Sequence, residues 1–265
     1  MNSKSPTTKN QTVSAVSRAS SNGTISILGV RLAAVNRNQL NEKLSQFLDR
    51  NQNGWLSYIN VHALNLAQNS QALKSFFDNA LLNYCDGSGV MLGAWILGKP
   101  LPEKIALTDW INDVAFVCAN EKKSMFLLGS TDDSVTAAAT ELVRQNPQLN
   151  IAGVHNGYFD FQNDYDVREQ IIKSKADLLL VGMGMPLQEE WIARVSKEFS
   201  RMIVLNAGSC FDYVSGRRKR APKWMQRSGL EWLFRLMTEP RRLWRRYLLG
   251  NPLYLFRILR LRLFG

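Results

Sequence analysis

The sequence lacks any apolar run that could cross a membrane as a helix, a span that takes about 20 residues. The best candidates, residues 89–98 and 247–256, are too short. It is also poor in cysteine and histidine, with 3 Cys and 2 His in 265 residues. None of these is spaced like metal ligands, so no metal site is predicted. The odd number of cysteines, each in an apolar stretch, indicates buried free thiols in a reducing compartment.

The N-terminal segment lacks acidic residues and apolar runs, and Ser, Thr, Asn and Lys dominate it. A secretory signal needs an apolar segment, so none is predicted. The single arginine, Arg18, is weak support for a transit peptide. We therefore predict a disordered lead over residues 1–24.

The positive charge of the protein is confined to its C-terminal end. Residues 216–265 hold 14 Lys/Arg against two acids, a net charge of +12, whereas the first 215 residues hold 19 basic and 20 acidic side chains, a net charge of −1. Large apolar residues such as Trp224, Trp232 and Phe256 are interleaved with this charge. This combination is typical of segments that bind the anionic, partly apolar surface of a bilayer.

Three other interpretations of this tail are weaker. A nucleic-acid arm would combine Lys and Arg with polar and Gly residues rather than with bulky aliphatic ones. A coiled-coil helix would need sustained heptads, which Pro240 and Pro252 interrupt. A solvated charged face does not explain so much apolar bulk. We therefore predict an appendage over residues 216–265 that binds an anionic membrane surface peripherally, and no nucleic-acid partner.

The middle of the chain alternates short apolar runs with helical patterns, which is typical of a doubly wound α/β fold with a mainly parallel sheet. This predicts a Rossmann-like core over residues 25–215. Ligands of such sheets bind beyond the carboxyl ends of the strands, so the loops that hold Asn60, Gly129, Gly182 and Gly208 should meet there. The predicted strands are 55–59, 124–128, 176–181 and 201–205, with helical patterns through Ala72, over 134–145 and from Leu187.

Two glycine loops are open to two interpretations. Gly182 and Gly184 form part of a phosphate-binding turn, but Leu187 stands at the third Gly position of the full fingerprint. A tight turn between a strand and a helix explains these glycines equally well. The Ser and Asp residues after Gly129 could simply cap the next helix.

Several segments, taken in order, resemble the WecG/TagA/CpsF family of bacterial glycosyltransferases over about residues 25–250. The most specific is the tail run between Gly216 and Tyr247, because its composition is unusual. The segments are Ser57-Tyr-Ile-Asn-Val-His-Ala-Leu-Asn65, Tyr84-Cys-Asp-Gly87, Gly129-Ser130, Gly182-Met-Gly-Met-Pro-Leu-Gln-Glu-Glu-Trp191, Gly208-Ser-Cys-Phe-Asp212, and the tail motifs Arg220-Ala-Pro-Lys-Trp224, Gly229-Leu-Glu-Trp-Leu-Phe-Arg235 and Glu239-Pro-Arg-Arg242.

This resemblance implies an inverting transfer of a sugar from a UDP-sugar donor to a polyprenyl-diphosphate-linked saccharide acceptor. The reaction would serve cell-surface polysaccharide synthesis at the cytoplasmic face of the inner membrane, without a cofactor or a metal. Relatives use N-acetylmannosamine, its uronic acid, glucose or glucuronic acid. The implied architecture is a Rossmann-like core whose C-terminal helical appendage closes over the site and docks on the bilayer.

The resemblance also implies residue roles. Asp86 matches the general base, which takes the proton of the acceptor hydroxyl. Asn60 matches a polar residue near the sugar, and Gln188 one that holds the sugar or the diphosphate. Further matches to nucleotide-sugar contacts are Gly129, Gly182, Gly184, Asp109 and, near the uracil, Asp212. Tyr58 stands where several relatives carry Thr.

Three arginines match the family residues that neutralise the leaving diphosphate, namely Arg235, Arg242 and Arg245. The guanidinium fork suits a diphosphate because it binds two oxygens at once. Their spacing would put them on one helix face if the helix bends through Pro240. Without the resemblance, Asp86-Gly87 is equally well an ordinary turn, and Gln188 an exposed helix residue. The alternative function is a non-enzymatic module that binds an anionic polymer or membrane surface, which would need no such set of loop residues.

Overall fold

A six-stranded parallel sheet forms the centre of the protein. The computed structural model describes residues 23–50 and 52–265, so the predicted N-terminal lead lies outside it up to residue 22. A short antiparallel hairpin, β1 (Thr24–Ile27) and β2 (Val30–Ala33), precedes the sheet and was not predicted. The sheet contains β3 (Gly54–Ile59), β4 (Leu82–Cys85), β5 (Ser124–Gly129), β6 (Asn150–His155), β7 (Leu178–Gly182) and β8 (Ile203–Asn206). Their order is β4-β3-β8-β7-β5-β6, which confirms the Rossmann-like prediction.

Helices connect the strands of the sheet. They are α1 (Arg37–Asp49), α2 (Val61–Ala67), α3 (Gln71–Asn79), α4 (Ser88–Ile96), α5 (Leu107–Asn120), α6 (Asp132–Gln145), α7 (Tyr165–Ser174), α8 (Leu187–Val195) and α9 (Cys210–Val214). The prediction of one helical stretch through Ala72 is wrong. Ser70 is extended and its side chain accepts a hydrogen bond from Leu73 N at 3.3 Å. This N-cap starts a new helix, because a capping hydroxyl satisfies a backbone donor that the helix cannot.

The sheet is buried on both faces, as its continuous apolar strands predict. Successive residues of β7 point to opposite faces: Leu179 and Val181 belong to one hydrophobic cluster, and Leu178 and Leu180 to the other. With both faces covered, the open surface for a ligand is at the carboxyl ends of the strands.

The appendage after residue 216 is helical but not continuous. It consists of α10 (Lys223–Arg227), α11 (Glu231–Thr238), α12 (Pro240–Trp244), a π-helical turn (Arg245–Leu249) and α13 (Gly250–Phe264). Glu239 leaves the helical conformation, with φ −134° and ψ 57°, and Pro240 begins the next helix. Proline suits a first helical position because it has no N–H to bond.

The last helix packs on the core. Tyr254 and Ile258 of α13 are buried, one turn apart, on the face that contacts α2 and α4. Gly93 of α4 permits this approach, since a Cβ there would collide with the Tyr254 hydroxyl. Asn65 of α2 adds two polar contacts, to Gly250 O at 2.7 Å and to Arg257 Nη1 at 2.8 Å. No helix within residues 23–50 and 52–265 is long and apolar enough to cross a membrane.

Candidate active site

A cavity of about 1840 Å³ opens at the carboxyl ends of the strands, between the core and the appendage. The core contributes the loops after all six strands of the sheet, and the appendage contributes residues of α11, α12, the π-helical turn and the first turns of α13. The meeting of these loops is what a parallel sheet predicts. The appendage covers the carboxyl ends of the strands, so that the space between it and the core becomes a cavity.

Asp86 follows β4 directly and lines the cavity. Its N–H donates to Ile59 O at 2.8 Å, and Gly87 after it has φ 115°, a conformation that favours glycine. Burial, and then the negative charge of Glu231, raise the pKa of Asp86 to about 6, although Arg235, Arg246 and Lys104 oppose the shift. A carboxyl group that titrates this near neutrality is suited to general base catalysis.

Asn60 lies beside the Asp86 loop and also lines the cavity. It caps α2, because its Oδ1 accepts a hydrogen bond from Ala63 N at 3.0 Å. Within the described residues its amide nitrogen makes no hydrogen bond, so this nitrogen is free to donate to a ligand.

Gln188 lies beneath the cavity rather than on its surface. Its side chain is fully buried and is bonded to Gly184, Gly208, Tyr58 and Glu189. The interpretation of Gln188 as an exposed helix residue is therefore wrong. Gln188 was also expected to hold the sugar or the diphosphate. An amide has two donor and two acceptor sites, and these four contacts use all of them, so Gln188 has no free polar atom for a ligand. Gln188 instead joins the Gly184 and Gly208 loops.

The predicted nucleotide-sugar residues separate into two groups. Gly182, Gly184 and Asp212 line the cavity, and Asp212 bonds Ser130 and pairs with Arg218 at 3.0 Å. Gly129 does not line the cavity and packs on Gly182, where a Cβ would overlap the Gly182 backbone. Asp109 also lies outside the lining, in an ion pair with Arg220.

The three predicted arginines do not share one helix face. Arg235 and Arg242 line the cavity, but the helix breaks between them at Glu239. Arg245 is exposed, its guanidinium 5.3 Å from the centre of the Trp244 ring, and is not part of the lining. Arg246, which stands four residues after Arg242, lines the cavity in its place.

Arg235 is placed to receive an anion. Its Nη2 makes one long contact, 3.4 Å to Ser209 Oγ, and its buried Nε has no hydrogen-bond partner among the described residues. The guanidinium carbon lies 5.8 Å from the centre of the Tyr213 ring. An unpaired buried guanidinium nitrogen is costly unless a ligand satisfies it.

Sequence reasoning assigned no site role to several lining residues. Arg218 pairs with core Asp212 and appendage Glu239, the latter at 2.8 Å. His62 faces Arg246, and burial first and this positive charge second lower its pKa to about 4, so it is neutral at pH 7. Tyr58 and Arg246 are two further residues of this kind. The sequence could have indicated His62 and Tyr58, since each lies two residues from Asn60 at the end of a predicted strand.

Within the described ranges, no cluster of three or more His, Cys, Asp or Glu side chains has a geometry that could hold a metal. The site thus assembles carboxylates, amides, a phenol and arginines, the groups of proton transfer and anion binding.

Comparison with known proteins gives concordant matches. The model of the glycosyl transferase WecG/TagA/CpsF family matches residues 25–265. A protein of Staphylococcus aureus (strain NCTC 8325 / PS 47) is 28% identical over 245 residues, which cover 92% of this chain and 95% of that protein. It is named N-acetylglucosaminyldiphosphoundecaprenol N-acetyl-beta-D-mannosaminyltransferase. Its counterpart in strain MRSA252 has the same name, identity and coverage.

Proposed function

This chain belongs to the WecG/TagA/CpsF family of glycosyl transferases, and from that premise we propose the reaction that it catalyses. An N-acetylhexosamine passes from a UDP-sugar to a polyprenyl-diphosphate-linked saccharide. The names of the Staphylococcus aureus relatives support N-acetylmannosamine as the sugar and N-acetylglucosaminyl-diphosphoundecaprenol as the acceptor. Family membership makes the chain a glycosyltransferase and sets aside the non-enzymatic alternative.

One observation carries this proposal: Asp86 and Arg235 line the same cavity, one from the core and one from the appendage. Asp86 takes the proton of the acceptor hydroxyl while that oxygen attacks the anomeric carbon. The bond from the anomeric carbon to the diphosphate breaks, and UDP leaves with the electron pair. Attack opposite to the leaving group inverts the anomeric centre.

The charge that develops on the leaving diphosphate is met by the appendage. Among the described residues, one guanidinium nitrogen of Arg235 has no hydrogen-bond partner, and Arg242 and Arg246 also line the cavity. Arg242 is bonded at 2.6 Å to Glu239, a carboxylate that a diphosphate would replace as its partner. Such preorganised positive groups stabilise a charge that grows in the transition state.

The outer surface of the appendage also suits a substrate that is held in a membrane. Phe256 and Phe264 of α13 are 63% and 84% exposed, beside the exposed basic residues Arg260 and Arg262. We propose that residues 216–265 rest on the cytoplasmic face of the inner membrane, where a polyprenyl-linked acceptor is held, and that residues 25–215 form the catalytic core. Basic and apolar residues in one segment favour this placement.

The test is a transfer assay with UDP-N-acetylmannosamine and a short-chain N-acetylglucosaminyl-diphosphate lipid in detergent. Asp86→Asn should lower kcat at least about 100-fold, the usual contribution of a positioned base. Asp133→Asn, the same change on an exposed residue of α6, is the matched control and should leave kcat unaltered. A rate for Asp86→Asn within threefold of wild type would remove Asp86 from this role.

The pH dependence of kcat/KM tests the role of the same carboxyl group in a second way. Since the base works deprotonated, kcat/KM should fall about tenfold per pH unit below about pH 6. A raised native pKa favours folding while the group is protonated, and this contribution is lost as pH rises through about 6. Asp86→Asn should therefore not lower the melting temperature at pH 8, which separates lost chemistry from lost folding.

A further inference from the structure

A buried network of polar side chains lies beneath the cavity, and the reaction above leaves it without a role. Gln188, Glu189 and Asn206 are completely buried, whereas Tyr58, 9% exposed, lines the cavity. Glu189 Oε1 accepts hydrogen bonds from Gln188 Nε2 at 2.7 Å and from Asn206 Nδ2 at 2.8 Å. Asn206 Oδ1 accepts from the N–H of Tyr58 at 3.2 Å, which ties the network to β3.

The surroundings determine which way the amide of Gln188 points. Backbone N–H groups of Gly184 and Gly208 lie 3.1 and 2.9 Å from its Oε1, and only an oxygen can accept them. The nitrogen must therefore face the other side, where it donates to Glu189 Oε1 and, at 3.1 Å, to the Tyr58 hydroxyl. All four hydrogen-bonding sites of Gln188 are then used.

This orientation decides the role of the Tyr58 hydroxyl. Because the Gln188 nitrogen can only donate, the hydroxyl oxygen of Tyr58 accepts, and its own hydrogen is left over. Within the described residues that hydrogen has no acceptor. Burial, followed by the negative charges of Glu189 and Asp86, raises the pKa of Tyr58 well above its usual value, so the hydroxyl keeps its hydrogen. A hydrogen-bond donor is therefore available at the cavity wall.

We propose that Tyr58 is a substrate-binding residue whose hydroxyl donates a hydrogen bond to an oxygen of the sugar in the nucleotide-sugar donor, and that Gln188 and Glu189 are positioning residues which keep this hydrogen available. The inference rests on the proposed function for the identity of the donor. The sugar is the part contacted because the reacting centre lies at Asp86. Tyr58 and Asp86 line the same cavity, Tyr58 near the end of β3 and Asp86 directly after the adjacent strand β4. Gln188 thus acts on the substrate through Tyr58.

The test compares the binding of UDP-N-acetylmannosamine and of UDP by calorimetry. Tyr58→Phe removes the hydroxyl and keeps the ring, so the affinity for the UDP-sugar should fall about 3- to 10-fold, the effect of one lost hydrogen bond. The affinity for UDP should stay within twofold. An equal loss for both ligands, or no loss for either, would overturn the contact with the sugar.

Tyr84→Phe is the matched control. Tyr84 pairs with Tyr58 in the register of β3 and β4, and its buried hydroxyl has no hydrogen-bond partner among the described residues. It does not line the cavity, so its loss should leave both affinities unchanged. A wild-type protein that binds no UDP-sugar would refute the proposed function, whereas normal binding by Tyr58→Phe would refute only this inference.

Gln188→Glu provides a second variant, which is useful if Tyr58→Phe does not fold. A carboxyl oxygen toward Tyr58 would accept its hydrogen and withdraw it from the cavity, although ring and hydroxyl remain. The same 3- to 10-fold loss for the UDP-sugar is expected, with no further loss in the double variant. Wild-type affinity of a folded Gln188→Glu protein would show that the donated hydrogen is not what binds the sugar.

Discussion

The core and the appendage differ in how they use charge. The first 215 residues are nearly neutral, and their sheet is closed by apolar side chains on both faces. Residues 216–265 carry a net charge of +12 and only two acids, Glu231 and Glu239. Both acids are engaged in bridges: Arg220 joins Asp109 to Glu231, and Arg218 joins Asp212 to Glu239.

These bridges show how a strongly basic segment stays on a nearly neutral core. Each bridging arginine contacts one acid of the core and one of the appendage, so the positive charge is balanced at the junction. Among the described residues, Arg235 and Arg246 in the cavity and Arg260 and Arg262 on the outer surface have no acidic partner within salt-bridge distance. In the proposed reaction the core supplies the base and the appendage supplies the cations.

Removal of the appendage should have the largest effect of the changes that test these separate roles of core and appendage. Deletion of residues 216–265 should abolish transfer, because every arginine proposed for the diphosphate is lost, and should also release the protein from anionic liposomes. Activity and co-sedimentation are measured after circular dichroism has shown that the sheet is retained. Wild-type co-sedimentation of the shortened chain would place the membrane contact in the core.

A finer test compares two neighbouring arginines of the appendage. Arg246→Gln should lower kcat on a soluble acceptor about 10- to 100-fold, since hydrogen bonds to charged groups contribute about 1.5–3 kcal/mol. Arg245→Gln is the matched control, because Arg245 is exposed and lies outside the lining. The opposite ranking of the two variants would restore the helix-face interpretation, which places Arg245 on the diphosphate.

Much of the core was predictable, for a physical reason. Strands that are buried on both faces are continuous apolar runs, so β3, β5, β7 and β8 can be found from residue type alone. Parallel strands then bring their following loops to one edge, which placed Asn60, Gly182 and Gly208 together. The edge hairpin β1–β2 lacks such a run and was missed.

The details of the site depend on contacts that a local pattern does not contain. Gln188 has the residue type of an exposed helix position, and only the two loop N–H groups and Glu189 explain its burial. Arg246 lines the cavity instead of Arg245, and helical period alone does not choose between them, because spacings of three and of four from Arg242 both lie near one helix face. The charge asymmetry of the tail, in contrast, can be counted directly, but the two bridging arginines cannot be assigned to their partners without the fold.

The smallest effect concerns the outer surface of the appendage. Arg260 and Arg262 are exposed on α13, whereas Arg257 is bonded to Asn65 of the core and is left intact in this test. Each basic residue near an anionic surface contributes about 1 kcal/mol, so Arg260→Gln/Arg262→Gln should weaken liposome binding about 30-fold. Turnover on a detergent-solubilised short-chain acceptor should not change, because neither residue lines the cavity.

Neutralisation of two exposed basic residues of the core, Arg50→Gln/Lys197→Gln, is the matched control and should leave liposome binding unchanged. If both double variants lose liposome binding to the same extent relative to wild type, net charge rather than the placement of the appendage governs the membrane contact, and the division between core and appendage would hold for catalysis only.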